Sequence, residues 1–177
     1  GKLLDHVEDL GLLDDTAIVF TTDHGTHLGE EGCLQKTWSY LNSMVAQIPM
    51  IVRHPDESFA GKRVDALASG MDLAPMLMRF AGVDDHPPMD GEDMWRLAEG
   101  DVESLHDWLL IGFRNFAAAR TLDWHYFQGL DPEQPGHGPA LYELNADPKE
   151  ITNVVDEHPD VVEDLRRLIG GCFDLPG

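Results

Sequence analysis

Positive charge is scarce in this sequence. Twelve Lys and Arg stand against 33 Asp and Glu, a formal charge of −21, and only four of the twelve are lysines: Lys2, Lys36, Lys62 and Lys149. Nucleic acids and anionic membranes are bound through surplus cationic side chains, so neither is an expected partner. Cysteine is scarce too. Cys33 and Cys172 form no C-x-x-C pair, which excludes a disulfide scaffold, a zinc ribbon and thioredoxin-like redox chemistry. No apolar run approaches the roughly 18 residues a membrane helix needs, so membrane insertion is not expected, and the opening Gly-Lys-Leu-Leu-Asp-His is no signal peptide. What is present suffices for a core: 42% of the 177 residues are hydrophobic. The expectation is a soluble, acidic, folded chain, with the cytoplasm favoured over secretion. Such acidity with so little Lys also points to adaptation to molar salt, where the Debye length falls to about 3 Å and self-repulsion is screened.

Helical spacing starts at once, with Leu3, Leu4, Val7 and Leu10 followed by Gly11 as a helix stop, and the first residue is not Met. That pattern is expected of a chain that continues an upstream segment. Thr16 to Thr22 is a β-branched and apolar run without alternation, the pattern of a strand buried on both faces of a parallel sheet. Its end is Asp23-His24-Gly25. Residues 26–37 read as a glycine-containing loop, residues 38–45 as a short helix, and Pro49 to Arg53 as a second buried strand parallel to the first. A short extended piece is expected around Ala66 to Ala68. Asp72 is the expected N-cap of a helix with Leu73, Met76, Leu77 and Phe80 on one face, stopped by Gly82.

The texture changes after a Pro-, Gly- and acid-rich stretch from His86 to Gly100. Short apolar runs at residues 108–113, 116–120, 124–127 and 140–144, separated by turn signals, predict a small antiparallel sheet. Pro159 and Gly170-Gly171 frame a last helix with Val161, Val162, Leu165, Leu168 and Ile169 on one face. The fold class is therefore α/β, with residues 1–95 an incomplete α/β layer and residues 96–177 a small antiparallel sheet with a terminal helix. An incomplete sheet is expected to leave apolar surface exposed.

An Asp-His pair directly after a strand sits where open α/β sheets bind ligands, beyond the carboxyl ends of the strands. Asp23 offers a hard oxygen, His24 a borderline nitrogen, and Gly25 room for a sharp turn beside an ion. By itself the tripeptide is a weak signal and reads more readily as a turn with a capping Asp. Asp14-Asp15 and Asp84-Asp85 read as solvated pairs in turns, and Trp95, Trp108 and Trp124 as packing residues.

The longer pattern is more telling. Thr21-Thr22-Asp23-His24-Gly25-Thr26-His27-Leu28-Gly29 through Gly32 to Lys36, then Ile48-Pro49-Met50-Ile51-Val52, resembles the sulfatases of the alkaline phosphatase superfamily. The likeness continues at Asp72-Leu73-Ala74-Pro75-Met76-Leu77, at Ala119-Arg120-Thr121 and at Leu141-Tyr142-Glu143-Leu144-Asn145-Ala146-Asp147-Pro148-Lys149-Glu150. It implies the C-terminal part of an alkaline-phosphatase-like α/β sandwich, with half of a metal site in residues 1–95. By the same resemblance Asp23 and His24 are two ligands of a catalytic divalent cation, expected to be Ca²⁺, with Mn²⁺ or Zn²⁺ admitted by the imidazole. Lys36 is the residue reaching the transferred sulfate or phosphate, a role that fits a lysine kept in a chain that otherwise avoids lysine. His27 is a weaker candidate for a hydrogen bond to substrate.

The departures matter as much. The family's nucleophile is a formylglycine made from a C/S-x-P-x-R motif, which this sequence lacks, and nothing corresponds to the family's N-terminal metal carboxylates. The implied partners are a small-molecule or carbohydrate sulfate ester and the missing N-terminal part of the same enzyme. Phosphonate or phosphate ester hydrolysis in the same superfamily is the close alternative, and a non-catalytic remnant acting as a binding module is the distant one.

Overall fold

The computed structural model describes residues 1–32, 34, 35, 41–131 and 138–173. The chain opens with helix α1 (Lys2–Asp9), closed by Gly11 at φ +67°, a conformation that costs a residue without Cβ little. Strand β1 (Ile18–Phe20) follows, then a hairpin of β2 (His27–Leu28) and β3 (Leu34–Gln35), helix α2 (Ser43–Ala46) and strand β4 (Ile51–Arg53). Next come α3 (Leu73–Phe80) and α4 (Trp95–Glu99). The last third contains β5 (Leu109–Phe113), β6 (Phe116–Arg120), β7 (Trp124–Gly129), β8 (Ala140–Glu143) and α5 (Pro159–Gly170). The architecture is mixed α/β with antiparallel sheets and a C-terminal helix.

Two units are seen, one of residues 1–23 and 48–105, the other of residues 24–47 and 106–177. In the first, β1 and β4 pair antiparallel, Ile18 opposite Arg53, Val19 opposite Val52 and Phe20 opposite Ile51. The parallel pairing expected of these two strands does not form. Nor is either strand buried on both faces. Val19 and Val52 pack on a core of Met76, Met94 and Trp95, whereas Phe20 and Ile51, one residue out of phase, are 62% and 64% exposed. A two-stranded ribbon with one covered face follows the period-2 rule, which an unbroken apolar run conceals.

The helix expected from Asp72 forms with Asp72 at its N-cap position, while the hydrogen-bonded cap belongs to a preceding 3₁₀ turn, Gly70–Asp72, and is Ser69. The Ser69 hydroxyl accepts from the Met71 amide, and the buried Asp72 carboxylate accepts from the Ser69 amide at 2.6 Å and the Glu92 amide at 2.8 Å. This is a capping box whose first turn is 3₁₀. Trp95 anchors the unit by donating its indole N–H to the Met76 carbonyl at 3.0 Å. The extended piece at Ala66 to Ala68 forms no strand.

In the second unit the four-stranded meander is ordered β5-β6-β7-β8. Ala117, Ala119, Tyr126 and Leu141 face Leu165 and Ile169 of α5, all buried. The alanines of β6 let the helix approach the sheet closely, and Trp108 and Trp124 close the edges of this core. Among the described residues no helix is long and apolar enough to cross a membrane.

Several of the few cations are paired at the surface: Arg53 with Glu57, Arg96 with Glu92, Arg167 with Glu163 and Asp164. Such exposed pairs contribute little, and many acids remain to repel one another at a net charge of −21. Raising KCl from 0.05 M to about 2 M should therefore lift the melting temperature by about 4–8 °C, the equivalent of about 2 kcal/mol for a chain of this size. A flat response in calorimetry would count against adaptation to salt.

Candidate metal and oxyanion site

Asp23 and His24 lie just beyond the end of β1. The Asp23 carboxylate is exposed, and its Oδ1 accepts from the Thr22 hydroxyl at 3.2 Å. His24 is half-buried, with Nδ1 2.8 Å from the Gly25 carbonyl oxygen. A carbonyl only accepts, so Nδ1 carries the proton and the lone pair of the neutral ring is on Nε2. Metal-bound histidines commonly have their second ring nitrogen tied to a backbone carbonyl in this way. One carboxylate and one imidazole suit a divalent cation as donors but are fewer than the six to eight ligands Ca²⁺ gathers. Among the described residues no group of three or more His, Cys, Asp or Glu is assembled for a metal. By donor type, each of the two residues fits a place in such a ligand set.

The turn that carries them is held from behind. The Gly25 amide donates to the Val45 carbonyl at 2.8 Å, and a Cβ on Gly25 would lie 2.1 Å from the Met44 carbonyl oxygen. The glycine is required by close approach of two backbones. His27 is buried, 1% exposed, in β2 beside β3. The sequence had this stretch as loop; the hairpin is short, and its strands carry Gly29 and Gly32 between them, which hides the alternation. Glu30 supports it by accepting from the Leu28 amide at 2.6 Å, an interaction that lowers the carboxyl pKa. Lys36 and Cys33 lie outside the described residues, and Cys172 is exposed as a free thiol.

A residue to which the sequence reading gave no role stands out in the second unit. Glu150 is 4% exposed and sits in a turn with φ +56°. Its Oε1 accepts from Arg120 Nη1 at 3.1 Å and His125 Nδ1 at 2.9 Å, and its Oε2 from the Ser43 amide at 2.9 Å. The Ser43 hydroxyl also donates to Oε1 and accepts from Arg120 Nη1 at 2.6 Å. Asp147 shapes the turn, its Oδ2 accepting from the amides of Ile151 and Thr152, both at 2.7 Å. The signal was available: Glu150 ends the Asp147-Pro148-Lys149-Glu150 stretch, but nothing local says that its carboxylate is buried.

Burial pushes the Glu150 carboxyl up, while the hydrogen bond and charge of His125, with the Ser43 hydroxyl and amide, hold it down, and the balance falls at about 2 against an ordinary 4.5. A depressed carboxylate stabilises the fold above its unfolded pKa and loses that contribution as pH falls through the folded value. Stability should therefore drop by about 3 kcal/mol between pH 5 and pH 2 from this group. Urea titrations at several pH values check it. Glu150→Gln should begin less stable and show a flatter acid limb; identical slopes would contradict the assignment.

The first unit has a cleft of about 290 Å³ lined by His54, Phe59, Arg79, Phe80, Trp95 and Glu99, with Asp56. It is a poor oxyanion site, because Arg79 already donates to Asp93 at 2.7 Å and to both Glu99 oxygens at 2.7 and 2.8 Å.

Residues 29–170 match the C-terminal family model of N-sulphoglucosamine sulphohydrolase. The chain is 28% identical to an N-acetylglucosamine-6-O-sulfatase of Bacteroides thetaiotaomicron, a likeness covering 87% of this chain and 29% of that protein. It is 32% identical to a choline-sulfatase of Rhizobium meliloti, over 88% of this chain and 30% of the relative. Among solved structures, BT4656 in complex with its substrate D-glucosamine-2-N,6-O-disulfate superposes with a TM-score of 0.84 at 25% identity, covering 97% of this chain and 37% of that one. A phosphonate monoester hydrolase of Agrobacterium radiobacter gives 0.78 at 25% identity, over 93% and 36%. The chain spans about a third of the length of the curated relatives it matches. With the family model running from the hairpin through the terminal helix, this chain belongs to the sulfatase family of the alkaline phosphatase superfamily and corresponds to its C-terminal portion.

Proposed function

We propose that this chain is the C-terminal part of a metal-dependent sulfuric-ester hydrolase acting on a sulfated sugar. The observation that carries the reading is the His24 ring, whose Nδ1–H on the Gly25 carbonyl leaves the ring lone pair on Nε2, next in sequence to Asp23. In this reading Asp23 and His24 hold two coordination positions of a divalent cation, Ca²⁺ by family expectation, and the rest of the protein supplies the other ligands and a formylglycine nucleophile. When bound, the cation stabilises negative charge on the transferred group. Lys36 places an ammonium against a sulfuryl oxygen and favours the state in which that oxygen carries most charge. The relative with glucosamine disulfate supports a sulfated amino sugar as substrate class.

The similarity to a phosphonate monoester hydrolase favours one second reading, hydrolysis of phosphonate esters on the same scaffold. Both transfer a tetrahedral anionic group, so rate decides. The full-length protein containing this chain should hydrolyse an aryl sulfate and a 6-O-sulfated glucosamine at least about 100-fold faster than an aryl phosphonate monoester, about 3 kcal/mol in the barrier. The reverse order would establish the second reading, and no turnover of either would sink both. The 177 residues alone, lacking the nucleophile motif, should turn over neither.

A further inference from the structure

We infer that Glu150 is a positioning residue for His24 and Gly25: the carboxylate fixes α2, and α2 fixes the backbone at Gly25, next to the His24 imidazole. Its bearing on chemistry rests on the reading of His24 as a metal ligand.

The chain of contacts lies within one unit. Glu150 sits about 107 residues along the chain from Ser43, yet accepts from both the amide and the hydroxyl of that first residue of α2. Arg120 at the end of β6 and His125 in β7 hold the carboxylate from the sheet side, and Arg120 also reaches the Ser43 hydroxyl. Two residues further on, the Val45 carbonyl accepts the Gly25 amide at 2.8 Å, and the Met44 carbonyl occupies the space a Gly25 side chain would need. A four-residue helix has no stability of its own, so its place is set by what grips its ends. One end is gripped by charge-assisted hydrogen bonds to a buried carboxylate, the kind that is strongest and most directional. The four-stranded sheet therefore serves as the rigid reference for the turn, a use of a rigid element to place a residue on a loop.

Amide hydrogen exchange on the 177-residue chain tests this. In Glu150→Ala the Gly25 amide should exchange at least tenfold faster relative to the Ala118 amide in the centre of β6, and Glu150→Gln, which keeps an acceptor for Ser43, should recover part of the protection. If Glu150→Ala fails to fold, Ser43→Ala, which removes the hydroxyl alone, should raise Gly25 exchange about threefold with Ala118 unchanged. Parallel loss at Gly25 and Ala118 would reduce Glu150 to general stability and overturn the inference, as would unchanged Gly25 exchange in the variants. Mn²⁺ supplies the second readout: paramagnetic broadening at His24 should weaken about tenfold in Glu150→Ala. If the unmodified chain shows no such broadening while Gly25 responds as stated, the metal reading falls and the positioning of the turn stands.

Discussion

Replacing Gly25 by Ala should destabilise the second unit by about 3 kcal/mol and detach the turn from α2. The new methyl would have to displace a backbone carbonyl from 2.1 Å, and Met44 cannot retreat by rotating a side chain. Either α2 moves, straining the Ser43 contacts to Glu150, or the turn moves, breaking the Gly25–Val45 hydrogen bond. The control is Gly138→Ala, where a Cβ meets nothing within 4 Å, expected within about 0.5 kcal/mol of the parent. Urea midpoints measure both. A Gly25→Ala variant as stable as the Gly138 variant would show that the close approach is not a feature of the folded protein.

The second large effect concerns rate. In the full-length protein Asp23→Ala should lower kcat for aryl sulfate hydrolysis by about 10³-fold or more, because a metal ligand and the charge it brings are lost together. Lys36→Ala should cost about 10²–10³-fold through lost stabilisation of the oxyanion. The two differ in how metal concentration acts. Excess Mn²⁺ or Ca²⁺ should recover part of the Asp23→Ala loss and none of the Lys36→Ala loss. Steady-state kinetics across metal concentrations separates them; a Lys36→Ala enzyme rescued by metal would reassign that lysine to metal binding.

The local signals in the sequence translated well where local chemistry decides. Phe116 to Arg120 and the span from Pro159 to Gly170 form as read, because a strand bounded by turns and a helix framed by Pro and Gly are specified by neighbours. The order of β5, β6 and β7 follows from short connections. What was not legible depends on partners far along the chain. The run from Thr16 to Thr22 does not say whether it is covered on one face or two, nor in which direction Pro49 to Arg53 lies beside it. Ser69 and Asp72 are spaced as a capping box, but Asp72 is an equally good N-cap residue and stands directly before the apolar run, which hides the box. In the site, the Asp-His-Gly tripeptide was recognisable from its place after a strand, whereas its support was not. Glu150 and Ser43 meet only through contacts between the start of α2 and the C-terminal sheet, and a periodicity argument carries no term for a buried carboxylate of that kind.

The central claim, that Asp23 and His24 are donors to one divalent cation, is tested most directly by Mn²⁺ titration of the 177-residue chain followed by amide NMR. The titration is done in molar KCl, so that the −21 charge does not hold the ion diffusely. Binding should be weak, with a Kd of about a millimolar as expected of two donors. Broadening should centre on residues 22–26, be reversed by Ca²⁺ and be lost in Asp23→Ala. Broadening spread over the acidic surface and unchanged in Asp23→Ala would contradict it.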